Sequence, residues 1–345
     1  MKVLQILLSQ SEAGAETFFE KLAAALAADP EIDQKLIIEA LPDREERLRA
    51  VGCAFETLPM DWWGKRLRYN RRLRQTARVF APEVTLTWLN RASRKVPAGT
   101  GVRVARIGGY YPMANFSRCH HIIAITGDLR RHALDGGWPP ERVSLIPNFG
   151  DYPRAVWGGG DLPKIPDNRP VILALGRLHW KKGHDTLLRA VARLPGAHLL
   201  LAGDGELRDA LGRLAGDLGI RDRVHFLGFR RDVADLFDRA DLCVFPSRYE
   251  PNGTVVMEAW AHKTPLIAAD SVGPKWWIED GVDGLLFPVD DVDALVERAR
   301  RVLREPHLAK ALVAGGYAKY NRRLTQEVIV GKYKALFRRL IAGKA

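Results

Sequence analysis

Val171-Ile172-Leu173-Ala174-Leu175-Gly176-Arg177-Leu178-His179-Trp180-Lys181-Lys182-Gly183 opens with a purely apolar run, breaks at a glycine into a basic loop, and leads to a helix expected near Asp185. An apolar run of this length bounded by turn residues reads as a buried strand, so the unit is strand, loop, helix. The same unit begins the chain, with a strand over residues 3–8, a loop over 9–15 and a helical period over 16–28. Further strands are expected at 34–39, 84–87 and 122–126, with a helix at 45–51. After a Gly- and Pro-rich stretch over 152–169, a second series follows at 171–175, 198–202, 224–227, 242–245 and 266–268. Alternation of this kind specifies an α/β fold with mostly parallel sheets.

A chain of 345 residues exceeds one ordinary core and suits two domains of roughly 150 to 180 residues. The expected division is a first domain over 1–155, a linker over 156–170 and a second domain over 171–322. A helix within 323–345 should present Ile329, Tyr333, Leu336, Phe337 and Leu340 as one face. With 47% hydrophobic and 27% charged residues the composition is that of a folded globular chain. Cys53, Cys119 and Cys243 are too scattered for a disulfide framework or a zinc ribbon, which fits a reducing cytoplasm. Residues 1–10 are too short and too polar at their end for a signal peptide, and no apolar run reaches the length of a membrane span. The net charge of +12 points to a phosphorylated substrate, anionic lipid or nucleic acid.

Two loops carry chemistry. In the first, Gly176 lets the chain turn close to a ligand, Arg177 offers a forked donor pair and Lys182 a point charge for phosphate oxygens. The second is Pro246-Ser247-Arg248-Tyr249-Glu250-Pro251-Asn252-Gly253-Thr254-Val255-Val256-Met257-Glu258-Ala259, a turn that opens a helix at Thr254. The N–H groups of Asn252, Gly253 and Thr254 are expected to face an anion at that helix start, with Glu250 and Glu258 accepting from sugar and ribose hydroxyls. Alone, each carboxylate would pass for a turn residue or a surface charge. In the chain's first loop, Ser11-Glu12-Ala13-Gly14-Ala15-Glu16 sets small residues, Gly14 among them, at a helix start.

Together these segments resemble the family 4 retaining glycosyltransferases of the two-domain GT-B fold, known as glycosyl transferases group 1. The likeness rests on G-R-L-x-x-x-K-G at residues 176–183 and E-x7-E from Glu250 to Glu258, supported by Ile146-Pro147-Asn148, by 201–205 and by 226–228. Two Rossmann-like domains facing across a cleft follow from the resemblance, with a C-terminal helix returning to the N-terminal domain. So do the roles: Arg177, Lys182 and Glu250 as catalytic residues, and Gly14, Gly176, Asn252, Gly253, Thr254 and Glu258 as donor contacts. The implied substrate is a nucleotide diphosphate sugar, a UDP-sugar foremost, with no metal or other cofactor and a glycan or lipid-linked acceptor of lipopolysaccharide or polysaccharide synthesis. Trp276 stands where the family usually has a glutamate, and the cleft histidine of the N-terminal domain has no clear counterpart.

Asp291-Val292-Asp293 reads as a helix cap rather than a metal motif, and Cys119-His120-His121 cannot converge on one ion because neighbours on a strand face opposite sides. The run from Trp62 to Arg78 holds no acid and interleaves aromatics with arginines, the pattern of a helix on an anionic membrane surface or of a solvated helix face. A cytoplasmic protein is expected, with peripheral contact to the inner face of the cytoplasmic membrane as an option, and without nucleic-acid binding. An epimerase of the same fold and a non-catalytic basic binding protein are the competing readings.

Overall fold

A computed structural model of the chain describes residues 1–58, 66–150 and 161–343. It divides into unit 1, Met1–Asn148 with Gln326–Ala345, and unit 2, Phe149–Thr325. The first part of the expected linker, residues 156–160, lies outside the described residues.

Unit 1 is built on seven parallel strands: β1 (Lys2–Leu7), β2 (Asp33–Glu39), β3 (Phe55–Leu58), β4 (Val84–Trp88), β5 (Val102–Ile107), β6 (His121–Ala124) and β7 (Val143–Leu145). Their order is β3-β2-β1-β4-β5-β6-β7. Between them run helices α1 (Gly14–Ala27), α2 (Pro42–Ala50), α3 (Arg66–Phe80), α4 (Leu89–Lys95) and α5 (Gly127–Asp135). Unit 2 repeats the plan with β8 (Val171–Leu175), β9 (His198–Ala202), β10 (Val224–Gly228), β11 (Leu242–Phe245), β12 (Leu266–Ala269) and β13 (Leu285–Phe287), in the order β10-β9-β8-β11-β12-β13. Its helices are α6 (His184–Ala192), α7 (Arg208–Asp217), α8 (Val233–Arg239), α9 (Thr254–Ala261), α10 (Val272–Trp277), α11 (Val292–Arg304) and α12 (Pro306–Arg323). Each unit is a doubly wound, Rossmann-like half.

The cores follow from the strands. Central strands such as β1, β8 and β11 are apolar on both sides because helices cover both faces of a parallel sheet. In unit 2, Ile172, Leu188, Leu199, Val244, Ile267 and Leu295 belong to one buried cluster. Helix α13 (Gln326–Ala342) then joins unit 1, burying Ile329, Tyr333, Leu336 and Phe337, while Lys334 reaches Asp29 at 2.7 Å. The expected apolar face is the one that docks, with Leu340 half-buried at its end.

Strands β3, β5, β7 and β13 escape the sequence reading. The last two have three residues each, and β5 carries Arg103 and Arg106 in its run. Arg106 is fully interior: its guanidinium lies 4.6 Å from the Phe18 ring and 4.5 Å from the Trp88 ring and donates to Asn148 and to the Tyr333 hydroxyl. Burial pulls its pKa below the ordinary arginine value, and aromatic faces and hydrogen bonds replace the lost water. One local choice is open to improvement. Gly212 sits inside α7 without a positive φ, and an added Cβ would meet only the Arg221 guanidinium at 3.9 Å. Gly212→Ala is therefore expected to stabilise the protein by about 0.5–1 kcal/mol in urea unfolding.

Candidate functional site

In unit 2 the strand order runs outward from the neighbours β8 and β11, so the chains leaving their carboxyl ends part toward opposite faces and open a crevice. Residues 176–183 leave β8 there and 246–253 leave β11. Gly183 brings the two loops together. Its φ of 64° is left-handed, and a Cβ would overlap the Pro246 carbonyl oxygen. A second tie is the Tyr249 N–H, which donates to the Lys181 carbonyl at 3.2 Å. On the other flank Gly203 and Gly205, also at positive φ, press against the backbone of Gly176 and Leu178, which explains the glycines of 201–205.

Lys182 runs its side chain across Gly176 and donates from Nζ to Glu250 Oε2 at 2.5 Å. The other oxygen of Glu250 accepts from the N–H groups of Asn252 at 3.2 Å and Gly253 at 3.3 Å. Two of the three N–H groups expected to face a ligand thus donate to Glu250 in this structure. The turn is short enough to fold that carboxylate back over its own amides, and it is the nearest anion. Gly253, at φ 73°, caps α9, and Asn252 Nδ2 donates to Thr254 Oγ1 at 2.6 Å. The buried Asn252 Oδ1 and Ser247 Oγ have no hydrogen-bond partner among the described residues.

Glu258, one turn further along α9, is 6% exposed and so is no surface charge. Arg177 shares the first loop but is exposed, and it pairs with neither Lys182 nor Glu250. Gly14 begins α1 in unit 1, away from this cluster in the chain, with open space where a Cβ would stand. Behind the turn, Gly273 donates to the Glu250 carbonyl at 2.7 Å, and a Cβ there would come within 2.6 Å of that oxygen. Trp276 is 53% exposed, and its neighbour Trp277 is the one that touches the turn, donating to the Asn252 carbonyl at 2.8 Å.

Two residues that the sequence reading passed over support the loops. Arg248 donates to both oxygens of Asp185, at 2.9 and 2.7 Å, to Asp290 at 2.8 Å and to the Trp180 carbonyl at 2.7 Å. Hydrogen bonds to those carboxylates raise its pKa above the ordinary value. Its place inside the quoted run was visible, but its partners lie 63 and 42 residues away. His184 is buried at the start of α6 against the Gly176 and Arg177 backbone without reaching hydrogen-bond geometry. Burial, with the Lys182 charge, pushes its pKa down to about 4. The unfolded chain, with histidine near pKa 6.5, therefore binds a proton that the folded chain refuses, so stability is full above that value and falls as pH drops toward 4. Urea unfolding at pH 5 should show roughly 2 kcal/mol less stability than at pH 7 from this group, and His184→Leu should remove that share of the slope.

The decoys resolve structurally. Asp291 caps α11, accepting from the Ala294 N–H at 2.9 Å. His120 Nδ1 accepts from the Arg103 N–H, while His121 pairs with Ser144.

Comparison with known proteins bears on the whole chain. The family profile of glycosyl transferases group 1 matches residues 162–319. The lipopolysaccharide core biosynthesis glycosyltransferase LpsE of Rhizobium meliloti (strain 1021) is 33% identical over 333 residues, spanning 94% of this chain and 96% of its own. LpsD of the same organism, with the same description, is 31% identical over 349 residues, 99% of each chain. The crystal structure of Anabaena Alr3699/HepE in complex with UDP-glucose shares the fold with a TM-score of 0.83 at 19% identity, covering 98% of this chain and 100% of that one. The Lys182–Glu250 pair at the β8/β11 switch point therefore sits in a chain that belongs to the glycosyl transferases group 1, the family its sequence resembles.

Proposed function

We propose that this glycosyltransferase is a retaining enzyme that moves a sugar from a nucleotide diphosphate sugar, a UDP-sugar foremost, to a glycan or lipid-linked acceptor. The observation that carries the reading is the convergence of the Lys182 ammonium and the Asn252 and Gly253 amides on one carboxylate. Donors that hold a carboxylate hold phosphate oxygens equally well, and they stand at the start of α9, where the helix dipole favours an anion. With a diphosphate in that seat, Glu250 is released to accept from donor-sugar hydroxyls. Arg177, exposed on the same loop, closes on the phosphates, and Glu258 accepts from the ribose.

In this reading the bond from the anomeric carbon to the diphosphate oxygen breaks while the acceptor oxygen bonds on the same face, and the acceptor proton passes to the departing phosphate. Lys182, Arg177 and the α9 terminus stabilise the charge that develops. The chemistry needs no metal, so chelation by EDTA should leave turnover unchanged. The names of LpsE and LpsD support a lipopolysaccharide core acceptor. Calorimetric titration with UDP-, GDP- and ADP-sugars fixes the donor, and NMR of the product fixes its anomeric configuration. An inverted product would overturn retention, and failure of every acceptor extract to release nucleotide diphosphate would overturn transfer itself.

Contact with an anionic membrane surface through Trp62 to Arg78 belongs to the same proposal. Residues 62–65 of that run lie outside the described residues. From residue 70 on, Leu73, Thr76 and Ala77 are buried in unit 1, so this part of α3 offers mainly basic contacts, with Val79 its exposed apolar side chain. Among the described residues, no helix is long and apolar enough to cross a membrane.

A further inference from the structure

With its apolar side committed to the core, α3 turns Arg74 and Arg78 outward. Arg94 and Lys95 end α4 beside them, and Arg118 follows a short turn at Met113–Phe116. These side chains line one cavity of about 520 Å³ whose wall, among the described residues, contains no carboxylate. Among the described residues, Arg74, Arg78, Arg94 and Arg118 have no acidic partner, although ion pairs form nearby, at Arg72 with Glu56 and at Arg91 with Glu39. The cavity is walled by Ala81, which precedes β4, and by 97–100, which precede β5, so it opens at the amino ends of these strands. Ligand crevices of such sheets lie at the carboxyl ends, one strand length or roughly 16 Å away.

Like charges gathered around one concave volume repel each other and focus a positive potential into it. An anion with several acceptor oxygens reverses that sign, and guanidinium forks match phosphate oxygens in pairs. The volume lies in the range of small-molecule sites and exceeds a bare phosphate, leaving room for the group that the phosphate esterifies. We propose that this cavity in unit 1 is a second binding site, distinct from the sugar-donor crevice, for a phosphate monoester carried on a glycerol- or sugar-sized group. The site does not depend on the glycosyl-transfer reading.

Two probes test it at physiological salt: sn-glycerol 3-phosphate by calorimetry, and phosphatidylcholine vesicles with and without phosphatidic acid by flotation. The combined variant Arg78→Gln, Arg94→Gln, Arg118→Gln should bind the effective probe at least about tenfold more weakly than wild type. A variant of equal net charge, Arg131→Gln, Arg213→Gln, Arg322→Gln, alters exposed arginines elsewhere and should stay within about twofold. Both should keep wild-type UDP-sugar binding. Binding of the soluble ester identifies a free phosphorylated compound as the source, and binding only to phosphatidic acid vesicles identifies a lipid headgroup. No binding of either probe by wild type, or equal losses in the two variants, would overturn the site. Should the combined variant unfold, Arg118→Gln alone, on an exposed turn, carries the same comparison.

Discussion

Lys182→Ala is expected to lower turnover by about two orders of magnitude or more, with the melting temperature within a few degrees of wild type. The ammonium is the strongest charge facing Glu250, and both side chains keep some contact with water, 23% and 14% exposed. Removing it leaves a partly solvated carboxylate that still accepts from two amides, so folding loses little. Charge developing on a departing diphosphate is a heavier demand, since it arises in the transition state and in a confined crevice. The loss should therefore fall on kcat more than on KM. Arg177→Ala should act in the same direction, for a different reason: its side chain is exposed, and in the proposed mechanism it gains its partner with the donor. Wild-type turnover in both variants, measured as nucleotide diphosphate release, would remove the assigned roles.

Gly183→Ala should be among the most damaging single-methyl changes in unit 2. A left-handed φ of 64° costs a side chain roughly 1–2 kcal/mol, and the added Cβ overlaps a backbone oxygen rather than a movable side chain. Loop 176–183 must then lift away from loop 246–253, separating Lys182 from Glu250. A displacement of that order is expected to lower turnover by about a hundredfold, together with a stability loss of about 3 kcal/mol. The contrast with Gly212→Ala, which should stabilise, is the control: the methyl is the same, and only φ and the neighbouring atoms differ. Normal stability in Gly183→Ala would show that the two loops are not pressed together as described.

Much of this protein was legible because its signals are local. Apolar runs of four or five residues closed by a glycine or proline announce strands wherever they stand, and both loops of the proposed donor site were visible as the residues that follow such runs. Helix starts at Thr254 and Val292 follow from the turn and the Asp291 cap that precede them. The helical face of Ile329, Tyr333, Leu336 and Phe337 could likewise be read from spacing alone.

Tertiary structure decided what depends on partners distant in sequence. Lys182 and Glu250 are 68 residues apart, and only the adjacency of β8 and β11 in the sheet makes them a pair. That the Glu250 carboxylate occupies the amides of its own turn could not be read from residue types, because the turn's fold decides which anion is nearest. Arg106 broke the pattern of β5, since the rings of Phe18 and Trp88 that make a buried guanidinium tolerable come from α1 and β4. In residues 62–78 the sequence showed the charge but not its direction: packing took the apolar side of α3 inward and brought Arg78, Arg94 and Arg118 around one cavity. Sequence fixes which residues follow a strand, whereas strand order and helix packing fix which charges share a volume, and at these separations the Coulomb and hydrogen-bond terms exist only once the chain has folded.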